Sequence, residues 1–359
     1  IALKIIAARP LGVGFDNYGY LFYSFSTDKY YQIMGASSWA ESPHNYYLQI
    51  ATNIGLIGLL FLILLIILPY KMYLQRRQKP FEKEIVPIVL FSSISGFLLY
   101  LFSGLSHISI TPLFFLLLSF GASKTLKIKK IRLNIPNSFL KGFLITFVVF
   151  SLLFIYFITS LFQAEYFYTK AFFGNSESLD QREEFALKAV KLNRFSDTYQ
   201  SRLAYFYFSL WQAFKDETYF KNAERHYRKA LELNTINIYN YLNYGDFLFK
   251  AGTQKDPKHL NEASGIYKKA LEIAPGSPIV NTIFGRSLLF IRETEKAFFY
   301  LEKAIYLDPN YAEGYYNLAL YYLEKNNTKE AIKYFKLAVK NDSKYSKDKL
   351  VNEVVYGKK

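Results

Sequence analysis

The sequence predicts an all-α protein: polytopic transmembrane helices followed by an α-solenoid of repeated helical hairpins. Three observations predict it. Long apolar runs crowd the first 163 residues; a pattern of small and aromatic residues recurs at a 34-residue spacing after residue 164; and basic residues gather in two short segments between the runs. Apolar residues make up 51% of the 359, with 32 Tyr and 34 Phe, yet the mean hydropathy is near zero. An apolar part and a polar part are being averaged. The chain opens on Ile1 with no signal-peptide n-region ahead of it, so it is expected to continue upstream. There is no Cys, which excludes disulfides, thiolate catalysis and Cys-based metal sites.

Four runs are long enough, or nearly so, to cross a bilayer: Asn53–Tyr70, Ile85–Ser103, Ile108–Ala122 and Phe143–Phe162. The third is short and would need its flanks or a tilt. The net charge of +15 is divided unevenly. Residues 1–163 carry 14 Lys+Arg against 5 Asp+Glu, and 11 of those cations fall in 71–83 and 124–141. Short basic loops next to spanning helices face the cytoplasm. Residues 1–52, the turn at Gly104–Ser109 and everything after Gln163 are then expected on the extracytoplasmic side of a multi-pass protein of the cytoplasmic (inner) membrane. In residues 164–359 the 30 cations are mixed with 24 acids. No basic stripe suited to nucleic acid results.

Three domains are expected: an outer-face region over 1–52, four membrane helices over 53–163, and about five hairpins over 164–359. In the last copy Tyr315, Leu318, Ala319 and Tyr322 mark one helix, and Ala331, Phe335 and Ala338 the next. The pattern recurs as Phe284, Gly285, Leu288, Ala297, Leu301 and Ala304, closed by Pro309. An earlier copy has Gly245, Leu248, Ala263, Tyr267 and Ala270, with extra residues around Gly252–Pro257; another has Ala204, Tyr207, Ala223, Tyr227 and Ala230. Small residues let paired helices approach, aromatics fill the gaps, and Pro closes the second helix. This resembles the tetratricopeptide repeat. Such an array is a binding surface and carries no chemistry by itself. The last apolar run enters the first copy without a Gly, Pro or Ser linker, so one helix is expected to continue through both.

The four histidines are dispersed, without metal-ligand spacing. His226 and His259 are expected on the repeat surface, and His107 in an outer turn. His44 stands in Trp39-Ala40-Glu41-Ser42-Pro43-His44-Asn45-Tyr46-Tyr47, just before the first apolar run. Ser42 is expected to cap that helix, with Pro43 in its first turn and Glu41 one turn from His44. Upstream, Pro10-Leu11-Gly12-Val13-Gly14 offers a tight glycine turn.

In order, that turn, the His44-Asn45 loop and Asn53-Ile54-Gly55-Leu56-Ile57-Gly58 opening an apolar helix resemble the O-antigen ligase and polymerase superfamily. The resemblance covers roughly residues 1–123, the C-terminal part of that family's membrane domain, and some members carry C-terminal tetratricopeptide repeats. It implies transfer of a polyprenyl-diphosphate-linked glycan to an acceptor hydroxyl on a lipid, glycan or protein, at the outer membrane face. Ligase, polymerase and protein O-glycosyltransferase are not separated by these residues. The resemblance implies no cofactor and no metal. His44 is expected to act as base or acceptor-orienting group, with Glu41 orienting it. Asn45 is expected to bond sugar or backbone, and Arg9 to contact the diphosphate or anchor the chain at the interface. The competing expectation is a non-catalytic, membrane-anchored repeat adaptor that assembles cell-envelope proteins.

Overall fold

The computed structural model describes residues 1–15, 17–74, 136–174 and 178–357, with Ser92, Ser95, Gly96 and Leu98 between them. These residues form helices and no strands. The chain divides into two compact units, Ile1–Thr27 with Ser38–Arg132, and Asp28–Ser37 with Leu133–Lys359.

In the first unit α1 (Ala2–Ala8) and α2 (Tyr18–Phe25) lie ahead of the segment that joins the second unit; α3 (Asp28–Met34) belongs to that segment. The chain returns as α4 (Tyr46–Asn53) and α5 (Gly55–Leu74). Ile5, Tyr18, Leu21, Phe22, Tyr23 and Ala51 are buried. The helix is interrupted between α4 and α5 because Gly55 takes φ +86°, a left-handed conformation that costs glycine little. The glycine turn at 10–14 is clamped into this interruption. Val13 N–H donates to Thr52 O at 2.8 Å, Gly14 N–H to Asn53 O at 3.0 Å, and Leu56 N–H to Pro10 O at 2.9 Å. A Cβ on Gly12 would stand 2.6 Å from Asn53 O and from Gly55 N, and one on Gly55 would run into Leu11. These are contacts of backbone with backbone, open only to glycine.

The second unit begins with α6 (Asn137–Phe173), a single helix of 37 residues and so about 55 Å long. It takes in the whole of the apolar run Phe143–Phe162 and goes on, without a break, into the first hairpin. Its apolar part is covered by nothing in the unit: Phe143, Phe147, Phe150, Leu153 and Phe154 are exposed. Its last turns are different. Ala164 and Ala171 are fully buried, and the Arg182 guanidinium donates to Ala171 O at 2.8 Å from the paired helix α7 (Leu179–Leu192). Among the described residues α6 is the one helix long and apolar enough to cross a membrane, and Gly55–Ile67 in α5 is a shorter apolar stretch. All but four residues of the run Ile85–Ser103, the run Ile108–Ala122, the turn Gly104–Ser109 and nearly all of the two basic segments lie outside the described residues.

Four further hairpins follow: α8 (Asp197–Phe214) with α9 (Glu217–Leu233), α10 (Ile238–Gln254) with α11 (Lys258–Ile273), α12 (Pro278–Phe290) with α13 (Thr294–Leu307), and α14 (Ala312–Glu324) with α15 (Thr328–Asn341). Polar residues start most of these helices. Ser196, Asp216, Asn237, Ser277 and Asn327 each accept a backbone N–H in the first turn, and Ser178 with Gln181 forms a reciprocal capping box ahead of α7. Inside each pair small residues meet large ones. Ala204, Ala223, Ala263, Ala297 and Ala331 are fully buried, as are Tyr227, Tyr267, Leu301 and Phe335. A Cβ on Gly245 would enter the Tyr267 ring, and one on Gly285 would lie 2.9 Å from Leu301. The extra residues around Gly252–Pro257 do not make a loop. They lengthen the helix, so that α10 has 17 residues against 13 in α12 and in α14. A 3₁₀ turn (Ser343–Lys347) and α16 (Lys349–Tyr356) close the array; Val351 packs with Ala319 and Phe335 and covers the last apolar edge.

Candidate functional site

Two places on the chain merit description: the loop ahead of α4 and the face formed by the first helices of the hairpins. In the loop, α4 begins later than the sequence suggests. Asn45 is its cap, with Oδ1 accepting from Leu48 N–H at 3.0 Å. Ser42 is not the cap; it is buried and its hydroxyl accepts from His44 N–H at 3.4 Å, two residues on. The chain cannot turn helical at Pro43 because His44 adopts φ +51°. Left-handed backbone at a side-chain-bearing residue costs energy, though His and Asn tolerate it better than most. His44 and Glu41 are both exposed. Glu41 lies in a bend rather than a helical turn, and no hydrogen bond or ion pair joins it to His44. Arg9 is exposed at the end of α1, and its carbonyl accepts from Gly12 N–H at 2.9 Å, which closes the glycine turn. The motifs that the sequence spreads over residues 10–58 share one unit, tied through the interruption between α4 and α5.

In the array, first helices of neighbouring hairpins touch, α8 with α10 and α12 with α14, and each second helix packs on the first helix of the next hairpin. The first helices therefore form the inner, concave side of the solenoid. Three charges bridge hairpins there. The Arg286 guanidinium on α12 stands 3.5 Å from Asp246 on α10 and 3.6 Å from Glu313 on α14, and lies over the Phe249 ring at 5.2 Å. Tyr267 donates to Asp246 at 2.6 Å and Tyr311 to Glu313 at 3.1 Å. Burial drives the Tyr267 phenol well above its ordinary range, with Asp246 adding to the effect, so it remains a donor. Sequence reasoning missed this ladder, although it left a trace: Asp246 and Arg286 each follow the glycine of their copy, so opposite charges occupy one position in successive repeats.

Among the tyrosines of the first helices, Tyr199, Tyr207, Tyr241, Tyr244 and Tyr321 are buried packing residues. Tyr205 is 54% exposed and Tyr239 42%, both on first helices, and Phe290 is exposed beside Phe249 with ring centroids 4.7 Å apart. His226 and His259 are buried, contrary to the expected surface placement. His226 faces its partner helix, whereas His259 lies against Phe220 of the preceding hairpin, with ring centroids 5.5 Å apart. His226 stacks on Tyr207, donates from Nδ1 to Gln200 Oε1 at 2.7 Å and accepts at Nε2 from Arg225 at 3.3 Å. Burial and then the Arg225 charge lower its pKa to about 4, so the ring is neutral at pH 7. Among the described residues no group of His, Asp and Glu is placed to hold a metal.

Sequence profiles described as Tetratricopeptide repeat match residues 280–311 and 300–333. The C-terminal region carries tetratricopeptide repeats. Similar solved structures include MamA from Desulfovibrio magneticus RS-1, with 16% identity over 52% of this chain and 97% of that one and a TM-score of 0.41. PilW, a type IV pilus biogenesis factor, gives 17% identity over 55% and 90% with a TM-score of 0.41. YrrB, a TPR protein with an unusual peptide-binding site, gives 19% over 50% and 82% with a TM-score of 0.37. No curated protein matches the sequence.

Proposed function

We infer that the chain is a membrane-anchored repeat adaptor, whose array binds a protein partner along the face of its first helices. The observation that carries this reading is the continuity of α6. An uncovered apolar stretch of bilayer length leads into the first hairpin with no joint between them. A solenoid on such a stem stays at the membrane surface and presents its concave side in a fixed direction. Exposed Tyr205, Tyr239 and Phe290 give that side flat, low-entropy contact surface of the kind found at the centre of protein interfaces. A photo-crosslinking residue at Tyr205 or Phe290 in the full-length membrane protein should give one discrete adduct. The same residue at Phe299 or Phe195, both exposed, should give none. Equal adduct yields from all four positions would remove the docking face.

A second reading concerns the loop: transfer of a polyprenyl-diphosphate-linked glycan to an acceptor hydroxyl at the outer face of the cytoplasmic membrane. It is favoured by one specific observation, the exposed left-handed His44 in the same unit as the clamped glycine turn. Strained, exposed polar residues cluster where function holds them. In this reading His44 takes the acceptor proton or orients the hydroxyl, Arg9 faces the departing diphosphate, and Glu41 acts on His44 only after the loop rearranges. No cofactor is invoked. The partners are the lipid-linked donor and a glycan, lipid or protein acceptor. It needs the polytopic topology: Cys introduced at Lys79 and Lys130 should be shielded from an impermeant thiol reagent in intact cells, and Cys at Ser38 and Asn327 labelled. His44→Ala should abolish transfer while insertion is kept. Undiminished transfer ends this reading and leaves the adaptor.

A further inference from the structure

The second unit contains ten residues from the N-terminal part of the chain, Asp28–Ser37, although Thr27 and Ser38 on either side belong to the first unit. The segment is α3 followed by a glycine turn, and it lies against α13, the second helix of the fourth hairpin. Tyr31 is fully buried and Ala36 is 6% exposed. Beyond α13 the Asp308 carboxylate, itself buried, divides its oxygens. Oδ1 accepts from Asn310 N–H at 2.9 Å, which shapes the turn into the fifth hairpin. Oδ2 accepts from Ala36 N–H at 2.6 Å, across 272 residues of sequence. Gln32 Nε2 adds a longer bond to Tyr306 O at 3.4 Å. The Ala36 N–H reaches the carboxylate because Gly35 takes φ +84°, which swings the backbone towards the turn.

We propose that Asp28–Ser37 is a strap, seated on Asp308, by which the repeat array holds the N-terminal loop. The seat suits a backbone N–H rather than a side chain. A buried carboxylate oxygen needs a donor, and a charge-assisted bond to a backbone amide satisfies it without bringing in a second charge. The strap rests on a second helix and takes no part in the concave first-helix face. The chain thus contributes to the array's unit once at Asp28–Ser37 and again from α6 onward. The strap leads within seven residues of Ser37 to His44, and a force on the array is passed to that stretch whichever reading of His44 holds.

Hydrogen exchange of the full-length protein in a lipid nanodisc tests this. In the wild type the amides of Tyr31 to Ala36 should be protected. Asp308→Asn keeps the shape and one acceptor oxygen but cannot satisfy both N–H groups. It should speed exchange at Ala36 by about tenfold or more, with the amides of Leu301 and Ala304 unchanged. Gly35→Val strains the left-handed turn, and its Cβ would stand 3.5 Å from Asp308 Oδ2, an ordinary contact that asks nothing of the array to move, so it should release the same segment. If Asp308→Asn also loosens the array, Gly35→Val alone decides. A segment that exchanges freely in the wild type, or an Ala36 rate that Gly35→Val does not change, overturns the strap.

Discussion

Glycines in the N-terminal unit and glycines in the repeat array do different work. Gly12 and Gly55 have positive φ, and a Cβ on either would meet backbone atoms of the other's segment. Gly245 and Gly285 lie in ordinary helix, and a Cβ there would first meet side chains, the Tyr267 ring and Leu301, with Ala297 O 3.3 Å from the second. Backbone cannot move aside without undoing the hydrogen bonds of the clamp, whereas a ring can shift at some cost in packing. The first unit is a single fitted joint. The array is a repeated side-chain fit, in which each hairpin tolerates more error because its neighbours share the load.

Substitutions sharpen that contrast. Gly55→Val should have the largest effect, upwards of about 3 kcal/mol, since it adds a forbidden φ and a backbone overlap. Thermal unfolding followed at a probe in each unit should show the loss in the first and none in the second. In the array, acid is the next most effective disturbance. His226 is held neutral with a pKa of about 4 against its ordinary 6.5. Between those values the unfolded chain binds a proton that the folded chain refuses. Stability is therefore complete above about pH 6.5 and falls as the pH drops towards 4, by at most about 3 kcal/mol. Denaturant titrations of wild type and His226→Gln across that range should diverge, with the variant showing the flatter profile. Gly245→Ala should cost about 1–3 kcal/mol through overpacking against Tyr267, less than Gly55→Val although the added group is buried in both cases. Asn45→Ala should cost about 1 kcal/mol, the ordinary value of a lost helix cap, read as fraying of α4 by hydrogen exchange.

The array was legible because its signals are local and repeated. Ala and Gly at fixed offsets, Pro275 and Pro309 after two of the second helices and a polar residue before most helices mark the hairpins one by one. The continuity of α6 was legible from what did not interrupt it between Leu161 and Tyr166. The loop was half legible. Ser42-Pro43-His44-Asn45 holds two capping residues, and only the backbone geometry at His44 decides for Asn45. His226 is expected on the surface simply as a lone histidine within a repeat, while its helix phase turns it towards Gln200 and Tyr207. The strap left no sequence signal. Asp308-Pro309 reads as a turn between hairpins, and the second partner of its carboxylate comes from Ala36, which carries no periodic mark.

The central claim is that the array is fixed to an apolar stem without a joint. The chain has no Cys, so spin labels can be placed at will. Cysteines at Lys141 and Phe173, both exposed on α6, lie 32 residues apart along it. In a lipid nanodisc, double electron–electron resonance should give one narrow distance distribution near about 48 Å, the length of an unbroken helix over that span. A broad distribution centred well below that value would mean a hinge between stem and array, and would contradict the claim.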